Sequence, residues 1–260
     1  MTTWSFGGTA LTTFGKVTVI DDYLDTASRR GENQIVPFRH GTVFAAKYFD
    51  ERKIELGIAV YATSATALEA SFDSMKRLFS PRTEQTLSMT MEDASTRTAQ
   101  ATVDIPMEVT RMSPTQANVV VEFTLCSPFF RGSSLIADNT TTINTSPKAM
   151  TVVNTGTAEE RDAIITMVGP LANTAITNST TGVSMTYGGT ISSGGTVVIQ
   201  TDSFGQYTAL LGGSTNVIGN ITHNGSAAFM VLSAGTNTLS ITDGSATTGT
   251  VKMSFYPPYL

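Results

Sequence analysis

The stretch Val119-Val120-Val121-Glu122-Phe123-Thr124-Leu125-Cys126-Ser127-Pro128-Phe129-Phe130-Arg131 decides how this chain is read. Val119, Val121, Phe123 and Leu125 recur at every second position. That spacing puts apolar side chains on one face of a β-strand and polar ones on the other. At the end of the stretch the composition changes abruptly. Residues 1–131 hold 13 of the 16 Lys+Arg and 15 of the 21 Asp+Glu, whereas residues 132–260 hold 3 and 6. Thr, Ser, Asn and Gly take the place of the missing charges. A surface of hydroxyls and amides belongs to a different kind of domain. The break therefore marks a boundary between two units, 1–131 and 132–260, each long enough to bury a core of its own.

Upstream of the boundary the same alternation appears at Ile54, Leu56, Ile58 and Val60, at Leu87, Met89 and Met91, and at Ala99, Ala101, Val103 and Ile105. Each run predicts a half-buried antiparallel strand. One segment departs from it: Ala65, Leu68, Phe72, Met75 and Phe79 are spaced 3, 4, 3 and 4 apart, one stripe of a helix over 65–79. Thr66 and Glu69 have capping-box spacing, and Ser80-Pro81 supplies a stop. A stripe of two heptads fits a helix laid over a sheet better than a coiled coil.

Downstream, short β-like runs centre on Val152, Ile164, Ile176, Met185, Val198, Tyr207, Ile221, Phe229, Leu239 and Met253. Asn154-Thr155-Gly156, Gly188-Gly189, Gly194-Gly195, Gly212-Gly213, Asn224-Gly225, Ala234-Gly235 and Asp243-Gly244 separate them. Turn signals at that interval with no helical period predict a β-sandwich or jelly roll.

Composition removes several function classes. At 40% hydrophobic and 14% charged the chain packs a core, and a net charge of −5 gives no basic footprint for nucleic acid or an anionic membrane. No apolar run approaches the ~20 residues of a membrane helix. The opening Met1-Thr2-Thr3-Trp4-Ser5-Phe6 has neither the basic nor the apolar segment of a signal peptide. With Cys126 as the only cysteine there is no disulfide framework, so the expectation is a chain that folds in a cytoplasm.

A search for chemistry finds no catalytic, cofactor or metal residues to nominate. His40 and His223 stand alone, outside any zinc-ligand spacing. Nucleophile elbow, P-loop and dinucleotide fingerprint are all missing. Asp21-Asp22 with Asp25 lacks the glycine and distal glutamate of a calcium loop. Glu159-Glu160-Arg161-Asp162 reads as a solvated loop rather than a glycosidase pair. Arg29-Arg30, Arg52-Lys53 and Lys76-Arg77 read as solvated faces or ion pairs. Cys126, inside an apolar strand, reads as a small buried hydrophobe. Asn139, Asn144, Asn178, Asn220 and Asn224 begin N-x-S/T triplets, expected by chance in a chain rich in Asn and Thr.

The order of the residues resembles the distal tail proteins of long-tailed bacteriophages over nearly the whole chain. In the first half the matching pieces are Arg52-x-Ile54-x-Leu56-x-Ile58, the single helix, Leu87-x-Met89 followed by Asp93 and Arg97, and Val121-x-Phe123-x-Leu125-Cys126-x-Pro128-Phe129. In the second half they are Val153-Asn154-Thr155-Gly156-Thr157, Ile164, Gly169, Asn178-x-Thr180-x-Gly182, Tyr187-x-Gly189-x-Ile191-x-x-Gly194 and Val198-Ile199-x-x-Asp202. Phe229-x-x-Leu232-x-x-Gly235-x-Asn237-x-Leu239 completes the set. Arg161-Asp162 departs from the pattern, since relatives often place a proline there, and the second half has no room for an inserted saccharide-binding module.

The resemblance implies a mainly β chain. An N-terminal β-barrel or split-barrel domain with one helix closes a homohexameric ring, and a C-terminal galectin-like β-sandwich projects outward. It also implies a virion structural part of the tail tip or baseplate, assembled in the bacterial host cytoplasm and not an enzyme. Its partners would be its own copies, the tail tube protein, the tail-tip hub protein and receptor-binding or side-fibre proteins, with DNA only in passage, no membrane and no cofactor. Two other readings stay open. A carbohydrate-binding adhesin would draw on Tyr187, Phe204, Tyr207, Phe229, Phe255, Tyr256 and Tyr259. A glycosidase would need carboxylates that no spacing picks out.

Overall fold

The computed structural model describes residues 2–20, 26–35, 40, 42–45, 47–202, 205–225, 228–245 and 248–260. The chain divides into two compact units, Met1–Ser133 with Leu260, and Ser134–Tyr259. Both are built from antiparallel strands, and among the described residues no sheet closes into a barrel.

The first unit has two principal sheets. One runs in the order Thr9–Ala10, Thr3–Phe6, Gln85–Thr90, Thr96–Ala101, Phe130–Gly132. The other has four strands, in the order Glu108–Ser113, Gln116–Leu125, Arg52–Tyr61, Lys16–Val19. Along Arg52–Tyr61 the residues Ile54, Leu56, Ile58 and Val60 are buried, and along Gln116–Leu125 so are Val119, Val121, Phe123 and Leu125, as the alternation requires. Two short ribbons, Arg29–Arg30 with Tyr48–Phe49 and Gln34–Ile35 with Thr42–Val43, also belong to this unit.

The helix Ala65–Leu78 turns its apolar stripe into the core of this unit. Leu68, Phe72, Met75 and the capping residue Phe79 are buried, whereas Ala65, expected on the same stripe, is exposed. Phe79 meets Phe6 of one sheet and Phe123 of the other, with centroids 6.0 and 5.9 Å away, and Phe6 and Phe123 are 5.0 Å apart. Three rings from three elements thus pin the core in tilted and edge-on contacts that suit the ring quadrupoles. The N-cap is Ser64, whose Oγ accepts from the Ala67 N–H at 3.1 Å. Thr66 and Glu69 lie inside the helix and form no capping box. Lys76 and Arg77 sit in the last turn, the end that favours cations.

The alternation also overreaches at strand ends. Met91 lies past Gln85–Thr90, and Val103 and Ile105 lie past Thr96–Ala101, with Ile105 46% exposed. Arg52 is no solvated residue: it is buried, with its guanidinium carbon 5.6 Å from the Phe130 ring centroid. Cys126 is just beyond Gln116–Leu125 and is exposed rather than buried.

The second unit is a β-sandwich. One sheet runs Ile136–Thr142, Thr250–Phe255, Ile164–Val168, Thr196–Thr201, Tyr207–Leu211, Thr215–Asn216. The other runs Lys148–Asn154, Gly235–Thr242, Leu171–Asn178, Ser184–Ile191, Ile221–His223. Met167, Val197 and Val251 from the first meet Val152, Ile176 and Leu239 from the second in one apolar core. The turns at Gly194 and at Gly212-Gly213 need the left-handed region, with φ of 76°, 60° and 76°. Gly188-Gly189, by contrast, is no turn and lies inside Ser184–Ile191. A Cβ on Gly189 would sit 2.5 Å from the Tyr187 hydroxyl, so the glycine makes room for that buried side chain.

Phe229 lies in an irregular buried segment rather than a strand. Ala228, Phe229, Met230 and Leu232 are buried, and only an isolated bridge between Glu160 and Leu232 gives the segment a ladder contact. Buried asparagines meet two of its carbonyls and brace the chain just after it. Asn178 Nδ2 donates to the Val231 carbonyl at 2.7 Å, and Asn154 Nδ2 to the Leu232 carbonyl at 3.3 Å. Asn237 accepts from the Ser233 N–H at 2.9 Å and donates to its carbonyl at 2.8 Å.

Candidate assembly surface

The four-stranded sheet of the first unit ends, among the described residues, in two strands that each pair on one side only. Glu108–Ser113 is one edge and Lys16–Val19 the other. Glu108–Ser113 pairs with Gln116–Leu125 on one side only, with a register shift between Arg111 and Ser113. Its residues Glu108 to Met112 are exposed, with Val109 at 42% and Met112 at 68%. A strand exposed on both faces carries no apolar alternation, which is why the sequence pattern missed it. An unpaired ladder of N–H and C=O groups is a template for another strand.

Apolar surface continues beside this edge. Phe79, Val103, Ile105, Pro106, Met107 and Val109, with Lys76 and Asp104 also on its walls, line a groove of ≈ 440 Å³. Arg111 Nη1 reaches Glu69 Oε1 of the helix at 2.8 Å, tying the edge strand to the body of the unit. Both side chains are about half exposed, so the pair positions more than it stabilises.

The open face of the sheet is polar. Register places Lys16, Ala59, Asn118 and Thr110 in one row across it, and Thr18, Gly57, Val120 and Glu108 in the next. Lys53 meets Glu122 at 2.9 Å on the same face, and that bond together with the carboxylate charge raises the Lys53 pKa.

The residues weighed for chemistry are scattered. His40 is exposed in the first unit; His223 is exposed in the second, its ring edge-on to Phe229 at 4.8 Å. Among the described residues no group of three or more His, Cys, Asp or Glu side chains gathers where a metal could be held. Although Cys126 is exposed, partial desolvation by its neighbours pushes the thiol pKa up, and the Glu84 carboxylate, by hydrogen bond and charge, pushes it further, so the group stays a thiol at neutral pH. Glu160, expected in a solvated loop, is fully buried and accepts from the Asp162 N–H, while Glu159 and Arg161 form an exposed pair. Asp21, Asp22, Asp25 and Phe204 lie outside the described residues. Of the remaining aromatics in the second unit, Tyr187, Phe229 and Phe255 are buried, Tyr207 and Tyr259 are half-buried, and Tyr256 is 44% exposed. Among the described residues no helix is long and apolar enough to cross a membrane.

No protein-family model and no curated protein sequence matches the chain. Among solved structures it matches the SPP1 Dit protein, described as a paradigm of the hub adsorption apparatus in phages that infect Gram-positive bacteria. That match has 16% identity and a TM-score of 0.70, and covers 100% of both chains. Weaker matches, with a TM-score of 0.42 and 11% identity over 98% of each chain, are to the phage P2 baseplate in its activated conformation with calcium and with strontium. Over its whole length, the chain has the fold of the SPP1 Dit protein.

Proposed function

We propose that the chain is a structural subunit of a phage tail tip. Six copies close a ring through residues 1–131, with residues 132–260 at the periphery. The ring joins the tail tube to the tip hub and its adhesion proteins and lets DNA pass, in a virion assembled in the host cytoplasm. The chain is not an enzyme in this reading. The match to SPP1 Dit across the full length of both chains supports the tail-tip role.

The observation that carries the ring is the sheet with two open edges. Its four strands alternate in direction, so Lys16–Val19 and Glu108–Ser113 run opposite ways. Rotation about a ring axis preserves each strand's direction along that axis. The edge of one copy therefore meets the opposite edge of the next in antiparallel sense, and the sheet continues without a break. One face of the sheet, that of Ile54, Leu56, Ile58, Val119, Val121 and Phe123, is buried, which leaves the other for the channel. That face carries Lys16 and Lys53 against Glu55, Glu108 and Glu122, with Lys53 already paired. A surface with so few free cations releases few counterions from passing DNA and does not hold it.

Light scattering on the full chain at micromolar concentration, with negative-stain images, tests this reading. Closed rings with a central channel are expected. A strict monomer, even when mixed with the tail-tip partner, refutes it.

A further inference from the structure

The two open edges carry opposite charges on the same face. Lys16 begins one edge strand and Glu108 begins the other. Thr18 and Glu108 belong to a single row across the sheet, and Lys16 and Thr110 to the adjacent one, so both charged side chains point to the open face. Both are exposed, and among the described residues neither belongs to an ion pair. The other cation on the acidic edge, Arg111, is held by Glu69 and so does not offset Glu108. Among the described residues, one edge thus carries an unpaired cation and the opposite edge an unpaired anion.

We infer that Lys16 of one copy is the charge partner of Glu108 in the next copy, on the channel side of each joint. The inference rests on the ring reading and adds the contact that selects the joint. In-register meeting of the edges puts Lys16 opposite Thr110 and diagonal to Glu108. A slip of two residues puts them directly opposite. Same-face neighbours across antiparallel strands lie about 4.5–5.5 Å apart when opposite and about 7–8 Å apart when diagonal, both within reach of a lysine. The occupant that fits each edge is accordingly the other edge of an identical chain. Two Lys16 edges meeting, or two Glu108 edges, would bring like charges together, so the pair favours head-to-tail closure over a symmetric dimer. A competing account is that these charges only guard the edges against aggregation. In that case reversing one has no effect on ring formation.

The test is a charge swap in the full chain, with four proteins compared: wild type, Lys16→Glu, Glu108→Lys and the double reversal. Light scattering across a dilution series at low and at high salt reads the assembled fraction. A melting curve of each variant shows that these exposed changes leave the fold intact. Each single reversal is expected to weaken each joint about fivefold at low salt, an effect that shrinks as salt screens it, and the double reversal is expected to restore the ring. Rings that survive both single reversals unchanged overturn the pairing and leave the ring standing. Single reversals that break the ring without rescue by the double overturn it as well. A wild type that stays monomeric at every concentration and salt removes the ring reading itself, and the pairing with it.

Discussion

Replacing Asp243 by Asn probes the turn that closes the second unit after Gly235–Thr242. The carboxylate is buried, and its Oδ1 accepts from the Ala172 N–H and the Thr174 hydroxyl, both at 2.8 Å. Its Oδ2 accepts from the Ser245 N–H at 3.0 Å and from the Ser245 hydroxyl. Burial pushes the Asp243 pKa up, but the hydrogen bonds from Ser245, Ala172 and Thr174 outweigh it and hold the carboxyl below its ordinary value. Asparagine keeps one acceptor oxygen and turns the other into an NH₂ that faces donors. Hydrogen bonds to a charged group contribute about 1.5–3 kcal/mol each and do not add simply, so the expected loss is about 2–4 kcal/mol near neutral pH. The sign with pH follows from the lowered folded pKa. The contribution is fully present above the unfolded carboxyl value of about 3.9 and is lost as pH falls through the folded value. The gap between wild type and variant should therefore be widest at neutral pH and close in strong acid. Urea unfolding of the full chain measures it, followed by the near-ultraviolet tyrosine signal, to which the buried Tyr187 of the second core contributes, while Trp4, the only tryptophan, reports the first unit. A loss below about 1 kcal/mol at neutral pH, or a gap that stays equally wide in strong acid, refutes the reasoning.

Phe72→Ala should cost about 3–5 kcal/mol through lost transfer energy and a residual cavity, read by the Trp4 fluorescence transition. A cost below about 1 kcal/mol with assembly lost would make the helix stripe an interface instead. Ser64→Ala should cost about 1 kcal/mol by removing the N-cap acceptor, and Ser64→Gly only a few tenths, in the same assay. The assembled ring should show no measurable binding to duplex DNA at about 50 mM salt in a filter-binding titration. Micromolar affinity with a steep salt slope would replace the passive channel by a gripping one.

Where burial is one-sided, the sequence was a sufficient guide. Ile54 to Val60 and Val119 to Leu125 alternate because each strand has a core face and an open face, and the helix shows because its stripe is buried along Leu68, Phe72, Met75 and Phe79. Glu108–Ser113 left no trace because both its faces meet solvent, and it is the strand on which the assembly reading turns. Phe229 misled for the opposite reason. Its segment is buried as deeply as a strand, yet beyond the bridge to Glu160 its carbonyls are met by Asn154 and Asn178, side chains that no local pattern links to it. Arg52 and Glu160 show that charge alone does not place a residue at the surface. A ring under one and a backbone N–H beside the other are tertiary facts that no local pattern encodes.

The left-handed glycines at the turns of the second unit have a practical consequence for grafting. A Cβ added at Gly194, Gly212 or Gly213 would meet nothing within 4 Å, so these tips face open space. At Gly156 and Gly169 the same atom would lie 2.1 Å from a backbone carbonyl oxygen, so those loops are wedged against neighbouring chain. Exposed tips accept extra chain far more readily than wedged loops. A reporter peptide or a foreign binding module should be carried at 194 or 212–213 with the sandwich intact, whereas an insertion at 156 or 169 would have to displace main chain first.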